Sequence, residues 1–94
     1  MLIVKILSLG SSERYAVRRM VTAATQDLLQ HYPNLEISII DVSDSTEIGK
    51  FAFTLVLPTL IINGKTVSSG RFPTRQEIGL WLREALDHRG SNVE

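Results

Sequence analysis

The sequence predicts a single α/β domain in the order β-α-β-α-β-β-α: a four-stranded mixed sheet with helices on both faces. Three observations carry that expectation. Leu2-Ile3-Val4-Lys5-Ile6-Leu7 is an apolar, β-branched run of strand length. Val17, Met20, Val21, Ala24 and Leu28 recur at three- and four-residue steps, the stripe of an amphipathic helix. Leu57-Pro58-Thr59-Leu60-Ile61-Ile62-Asn63-Gly64-Lys65 reads as a proline-opened strand closed by a two-residue hairpin turn, because Asn-Gly supplies the two positive-φ positions of a type I′ turn.

The elements follow in order. The first strand spans residues 2–9 and ends at Gly10; its unbroken apolar character suits a central strand covered on both faces. Ser11 or Ser12 can cap the next helix, with Glu13 placed against its positive end, and residues 13–31 continue it. Arg14, Arg18, Arg19, Gln26 and Gln30 fall on its solvent side, and Tyr32-Pro33-Asn34 stops it. Leu35 to Val42 alternates as a second strand, with Ile40 breaking the alternation and implying partial cover on the second face. Asp44-Ser45-Thr46-Glu47 has capping-box spacing and leads a short helix from Ile48 to about Ala52. Strand three is Leu57 to Asn63, and strand four is 65–69, whose Ser68 and Ser69 mark a half-exposed edge. Thr74-Arg75-Gln76-Glu77 is a second capping box, opening a helix over 75–87 that buries Ile78, Trp81, Leu82 and Ala85. The domain therefore covers 1–87, with 88–94 a polar tail.

Bulk composition narrows the chemistry. Ninety-four residues with 44% hydrophobic content suit one core. Ten basic and ten acidic residues cancel, so no global field favours nucleic acid or an anionic membrane. The apolar N-terminus lacks a basic flank and falls far short of the ~20 residues of a membrane span, so a cytoplasmic location is expected. With no cysteine there is no disulfide, thiolate metal site or thiol nucleophile. His31 and His88 have no metal-ligand spacing, and no metal or cofactor is expected.

The stretch LPTLIINGKTVSSGRFPTRQEI places a proline, Asn-Gly, a second glycine and a capped helix in one register. In this it resembles the small, glutaredoxin-sized members of the thioredoxin superfamily called redox-active disulfide proteins, and the resemblance covers about residues 2–86. Those proteins carry a CxxC motif at the start of the first helix. Here Ser11-Ser12-Glu13-Arg14 stands in its place: by register Ser11 and Arg14 occupy the two cysteine positions, and a one-residue shift would put Ser12 and Tyr15 there. A serine hydroxyl titrates far above neutral pH and forms no mixed disulfide, so catalytic thiol–disulfide exchange is excluded for these side chains.

The resemblance implies a groove where Ser11, Ser12, Arg14, Leu57, Pro58, Thr59, Gly70 and Arg71 converge. In the family the backbone before a cis-proline pairs with extended peptide or glutathione. Arg14, with Arg18 and Arg71, could add an anion clamp, although a solvated helix face is the preferred reading of Arg14, Arg18 and Arg19. Helix capping is a sufficient reason for the serines. Tyr15 is expected to pack and Trp81 to be core. The expected function is a redox-inactive module that holds a protein or peptide partner, or a second copy of the chain, through the groove or the fourth strand. The alternative is a glutathione-binding, transferase-like site using a serine at the start of the first helix. A small-anion sensor ranks last, since Ser8-Leu9-Gly10-Ser11-Ser12 has one glycine and makes no phosphate loop.

Overall fold

The chain is described by a computed structural model covering residues 1–44, 46, 48 and 56–91, the last four by backbone alone. Its elements are β1 (Leu2–Leu7), α1 (Ser11–His31), β2 (Ile37–Val42), β3 (Thr59–Ile62), β4 (Lys65–Ser69) and α2 (Arg75–Ser91). The short helix expected over 48–52 falls largely outside the described residues. Its opening turn is seen: the Thr46 N–H donates to Asp44 Oδ1 at 2.7 Å and the Ile48 N–H to Asp44 O at 2.9 Å.

The sheet has the order β2-β1-β3-β4. β1 and β2 are parallel, joined by the α1 crossover, while β3 runs antiparallel to both β1 and β4. Asn63 (φ 50°) and Gly64 (φ 81°) adopt the left-handed conformations that a type I′ turn requires. The turn is tied back to β1, where the Ile3 N–H donates to Asn63 Oδ1 at 2.8 Å and the Asn63 N–H donates to Ile3 O at 2.8 Å.

Strand alternation divides the apolar residues between two faces. Leu2, Val4, Ile6, Leu60 and Ile62 point to one side and meet Val17, Val21, Ala24 and Leu28 of α1 and Ile78 and Leu82 of α2. Both long helices thus cover the same face. Trp81, Met20 and Ala85 pack at the margin of this core, half-buried. On the other face Leu7, Val42, Ile48 and Ile61 form a smaller cluster, with Leu57 against it. That cover is confined to one end of the sheet: Ile3 and Ile40, further along the same face, are exposed, contrary to the cover expected for both.

Several boundaries differ from expectation for local reasons. β3 starts at Thr59, because Pro58 has no N–H to give to the ladder. β2 starts at Ile37, since the Leu35 N–H is taken by Tyr32 O in the turn. β1 ends at Leu7; the Ser8 N–H gives one further ladder bond to Val42 O, and its hydroxyl turns to the next loop. α2 runs on to Ser91, past the boundary at 87 that polarity suggested; helical hydrogen bonding needs no apolar face, so polarity alone is a poor stop signal. Ser68, expected at a half-exposed edge, is buried, and only Ser69 is exposed.

Candidate functional site

The C-terminal end of β1, the start of β3 and the end of β4 meet at one end of the sheet, and three loops leave from there. The first is Ser8-Leu9-Gly10. Gly10 is the N-cap of α1, in extended conformation, and no side chain caps the helix. Ser11 and Ser12 are already helical and exposed, so neither has the capping role expected of it. A cap needs an extended backbone, and the chain reaches that geometry one residue earlier, at glycine. The buried Ser8 hydroxyl lies 3.1 Å from Gly10 O and 3.2 Å from Glu13 Oε2 and can donate to either. The Glu13 carboxylate is thereby folded back over Gly10 in the first turn of α1, where the helix dipole favours it.

The second loop carries Val56, Leu57 and Pro58, and the Leu57–Pro58 peptide bond is cis. Both residues flanking Leu57 are pinned. Ser69 Oγ accepts from the Val56 N–H at 3.2 Å and donates to Val56 O at 2.9 Å. Pro58 O accepts from the Gly70 N–H at 3.0 Å. Buried Thr59 adds its hydroxyl, 3.0 Å from Val56 O and 3.3 Å from Ser69 Oγ. Among the described residues nothing takes up the N–H or C=O of Leu57 itself. The result is one residue with an open N–H and C=O, held between two neighbours whose backbone is fixed.

The third loop, Gly70-Arg71-Phe72, leaves β4. Gly70 sits at φ +78°, and a Cβ there would lie 3.0 Å from Val56 Cγ1, so glycine is required both by conformation and by the approach of the second loop. Arg71 pairs with α2. Its guanidinium donates twice to Glu77, at 2.8 and 2.6 Å, and lies 5.8 Å from the centre of the Trp81 ring. Hydrogen bonding to Arg71, then to the Thr74 backbone N–H, lowers the Glu77 pKa to about 2. The same Glu77 completes the expected capping box: Thr74 N–H donates to Glu77 Oε1 at 3.0 Å and Glu77 N–H to Thr74 Oγ1 at 3.1 Å.

The three arginines considered for an anion clamp have other partners. Arg14 Nη1 donates to Ser8 O at 3.3 Å, Arg18 pairs with Asp41 at 2.9 Å, and Arg71 is held by Glu77. Tyr15, expected to pack, is 66% exposed, because it lies on the far side of α1 from Val17 and Val21. The sequence reading also missed residues. Leu9, Val56 and Phe72, one on each of the three loops, are large, apolar and exposed. Phe72 lies in a segment read as a turn, Leu9 was counted with the first strand, and Val56 fell between two expected elements. No group of side chains among the described residues could hold a metal ion. No helix among them is long and apolar enough to cross a membrane.

A family model described as a thioredoxin domain matches residues 4–83. The chain belongs to the thioredoxin family. No curated protein gives a significant match. The matched span runs from β1 into α2 and takes in all three loops. Within this thioredoxin domain the positions that introduce α1 hold serines, and no cysteine occurs anywhere in the 94 residues, so the CxxC motif is absent.

Proposed function

We propose that this thioredoxin domain is a redox-inactive binding module that takes an extended protein or peptide segment along the Leu57–Pro58 loop. The observation that carries the reading is the open N–H and C=O of Leu57, fixed between Val56 and Pro58, with exposed Leu9, Val56 and Phe72 on the three loops at that end of the sheet. An extended peptide can satisfy both backbone groups at once, as an added strand does, and place alternate side chains against these apolar residues. Ser11, Ser12, Arg14, Thr59, Gly70 and Arg71 then shape the surroundings and perform no covalent step. Arg71 is paired with Glu77 and Arg14 is hydrogen-bonded to Ser8 O, so binding is carried by backbone pairing and apolar contact.

The glutathione alternative gains less support. A serine-assisted site must stabilise a thiolate at the start of α1, and the Glu13 carboxylate is already there; a second anion beside it is disfavoured.

Display of random peptides against the immobilised domain tests the proposal. Selected sequences should share apolar residues at alternate positions and should lose binding to Val56→Asp and Phe72→Asp variants that remain folded. Failure to enrich any peptide, or enrichment of peptides indifferent to both variants, contradicts it.

A further inference from the structure

A different surface, on the side of α2 turned away from the sheet, carries complementary shape and charge in adjacent rows. Residues four apart on a helix form ridges, and two such ridges lie side by side here. One is Gln76, Leu80 and Glu84; the other is Arg75, Gly79 and Arg83. Leu80 projects from the first with 62% of its surface exposed, a large apolar side chain on a polar face. Beside it, a Cβ built on Gly79 would meet nothing within 4 Å, so the second ridge has a gap at the same level. A shallow depression between α1 and α2, bordered by Asp27, Arg75, Gly79, Leu80 and Arg83, continues that gap.

Knob and gap are neighbours in sequence, which makes the face complementary to itself. A two-fold axis passing between residues 79 and 80 sets Leu80 of each copy over Gly79 of the other. The same operation lays the first ridge of one copy along the second ridge of the other. Glu84 then faces the Arg75 position and Gln76 the Arg83 position. Arg75 is already held by Asp27, with Nε donating to Oδ2 at 2.6 Å, and this bond is the first cause of the lowered Asp27 pKa. An incoming Glu84 extends that pair into a chain of alternating charge across the interface. Neither Arg83 nor Glu84 has an ion-pair partner of its own among the described residues. The formal net charge of zero leaves no net repulsion between copies.

We infer that α2 forms an isologous homodimer, with reciprocal seating of Leu80 over Gly79 and cross-pairing of Glu84 with Arg75. The interface shares no residue with the Leu57–Pro58 site, so it stands independently of the function proposed there. One helix crossing buries less than the roughly 1,200 Å² at which stable complexes begin, so the association is weak and concentration-dependent.

Sedimentation equilibrium on the full chain, from low micromolar to millimolar concentration, reads the association directly. The wild type should pass from monomer to dimer within that range. Leu80→Asp and Glu84→Arg should each weaken dimerisation by about tenfold or more, with unchanged circular dichroism because both side chains are exposed. Gly79→Leu, which fills the gap, should do the same and separates seating from charge. A wild type that remains monomeric at millimolar concentration overturns the inference and leaves the face to a different protein or to none. A dimer that all three variants leave intact overturns it as well.

Discussion

Replacing Gly70 by alanine should be the costliest single-methyl change in the loops of this domain, and its cost divides into two measurable parts. The first is conformational. Gly70 lies at φ +78°, and an L-residue in the left-handed region costs roughly 1–2 kcal/mol. The second is steric. The new Cβ would stand 3.0 Å from Val56 Cγ1 and 3.2 Å from Val56 Cβ. Val56 cannot simply withdraw, because Ser69 Oγ holds both its N–H and its C=O. Mild overpacking of this kind costs about 1 kcal/mol or a little more. The total expected for Gly70→Ala is therefore about 2–3 kcal/mol. Gly64 supplies the control. It has φ +81° with nothing within 4 Å of its would-be Cβ, so Gly64→Ala carries the conformational part alone, about 1–2 kcal/mol. Urea unfolding followed by circular dichroism measures both losses. Val56→Ala in the Gly70→Ala background removes Cγ1 but keeps Cβ, so it should return part of the steric cost, while Val56→Ala alone should cost little, since Val56 is 63% exposed. Equal losses at the two glycines, or a double variant no more stable than Gly70→Ala, would refute the contact between the two loops.

Other consequences follow from the same geometry. Ser68 Oγ is buried without a hydrogen-bond partner among the described residues, so Ser68→Ala should be neutral or stabilising by up to about 1 kcal/mol in the same urea assay. Ser11→Ala and Ser12→Ala should each change stability by no more than about 0.5 kcal/mol, whereas Thr74→Ala, which removes a real cap, should lose about 1 kcal/mol. The Glu77 carboxyl has its pKa lowered in the folded state from 4.5 to about 2, by Arg71 first and Thr74 second. A depressed carboxyl stabilises fully above its unfolded pKa and loses that contribution as pH falls through the folded one. Thermal unfolding should thus fall between about pH 4.5 and pH 2, and Glu77→Gln should make that decline shallower; an identical profile would count against the pair.

Much of this architecture is legible in the sequence because it depends on residues whose local chemistry admits few solutions. Asn63-Gly64 can place two positive-φ residues in succession, and they do so. Thr74 and Glu77 can satisfy each other's backbone donors three residues apart, and they do. The spacing of Val17, Val21 and Leu28 allows one buried side, and that side is buried. What the sequence hides are choices between competing partners. Arg71 is as suited to a groove anion as to Glu77, and only the fold brings Glu77 and Trp81 within reach. Ser11 and Ser12 fit a capping position, yet Gly10 takes it because Ser8 and Glu13 close the loop from beneath. The exposed Leu9, Val56 and Phe72 lie on three segments distant in sequence, and no local pattern joins them.

The central claim is that Leu57 offers its backbone to an extended polypeptide in a domain without a thiol. Titrating the ¹⁵N-labelled chain with a display-selected apolar peptide, and in parallel with glutathione, tests it most directly. The account predicts peptide-induced shifts concentrated at Leu57, Thr59, Ser11–Arg14 and Gly70–Arg71, with the Leu57 amide proton moving downfield as its hydrogen bond forms, and a weak or absent response to glutathione. Peptide shifts that spare Leu57, or a glutathione response stronger than the peptide's at the start of α1, would contradict it.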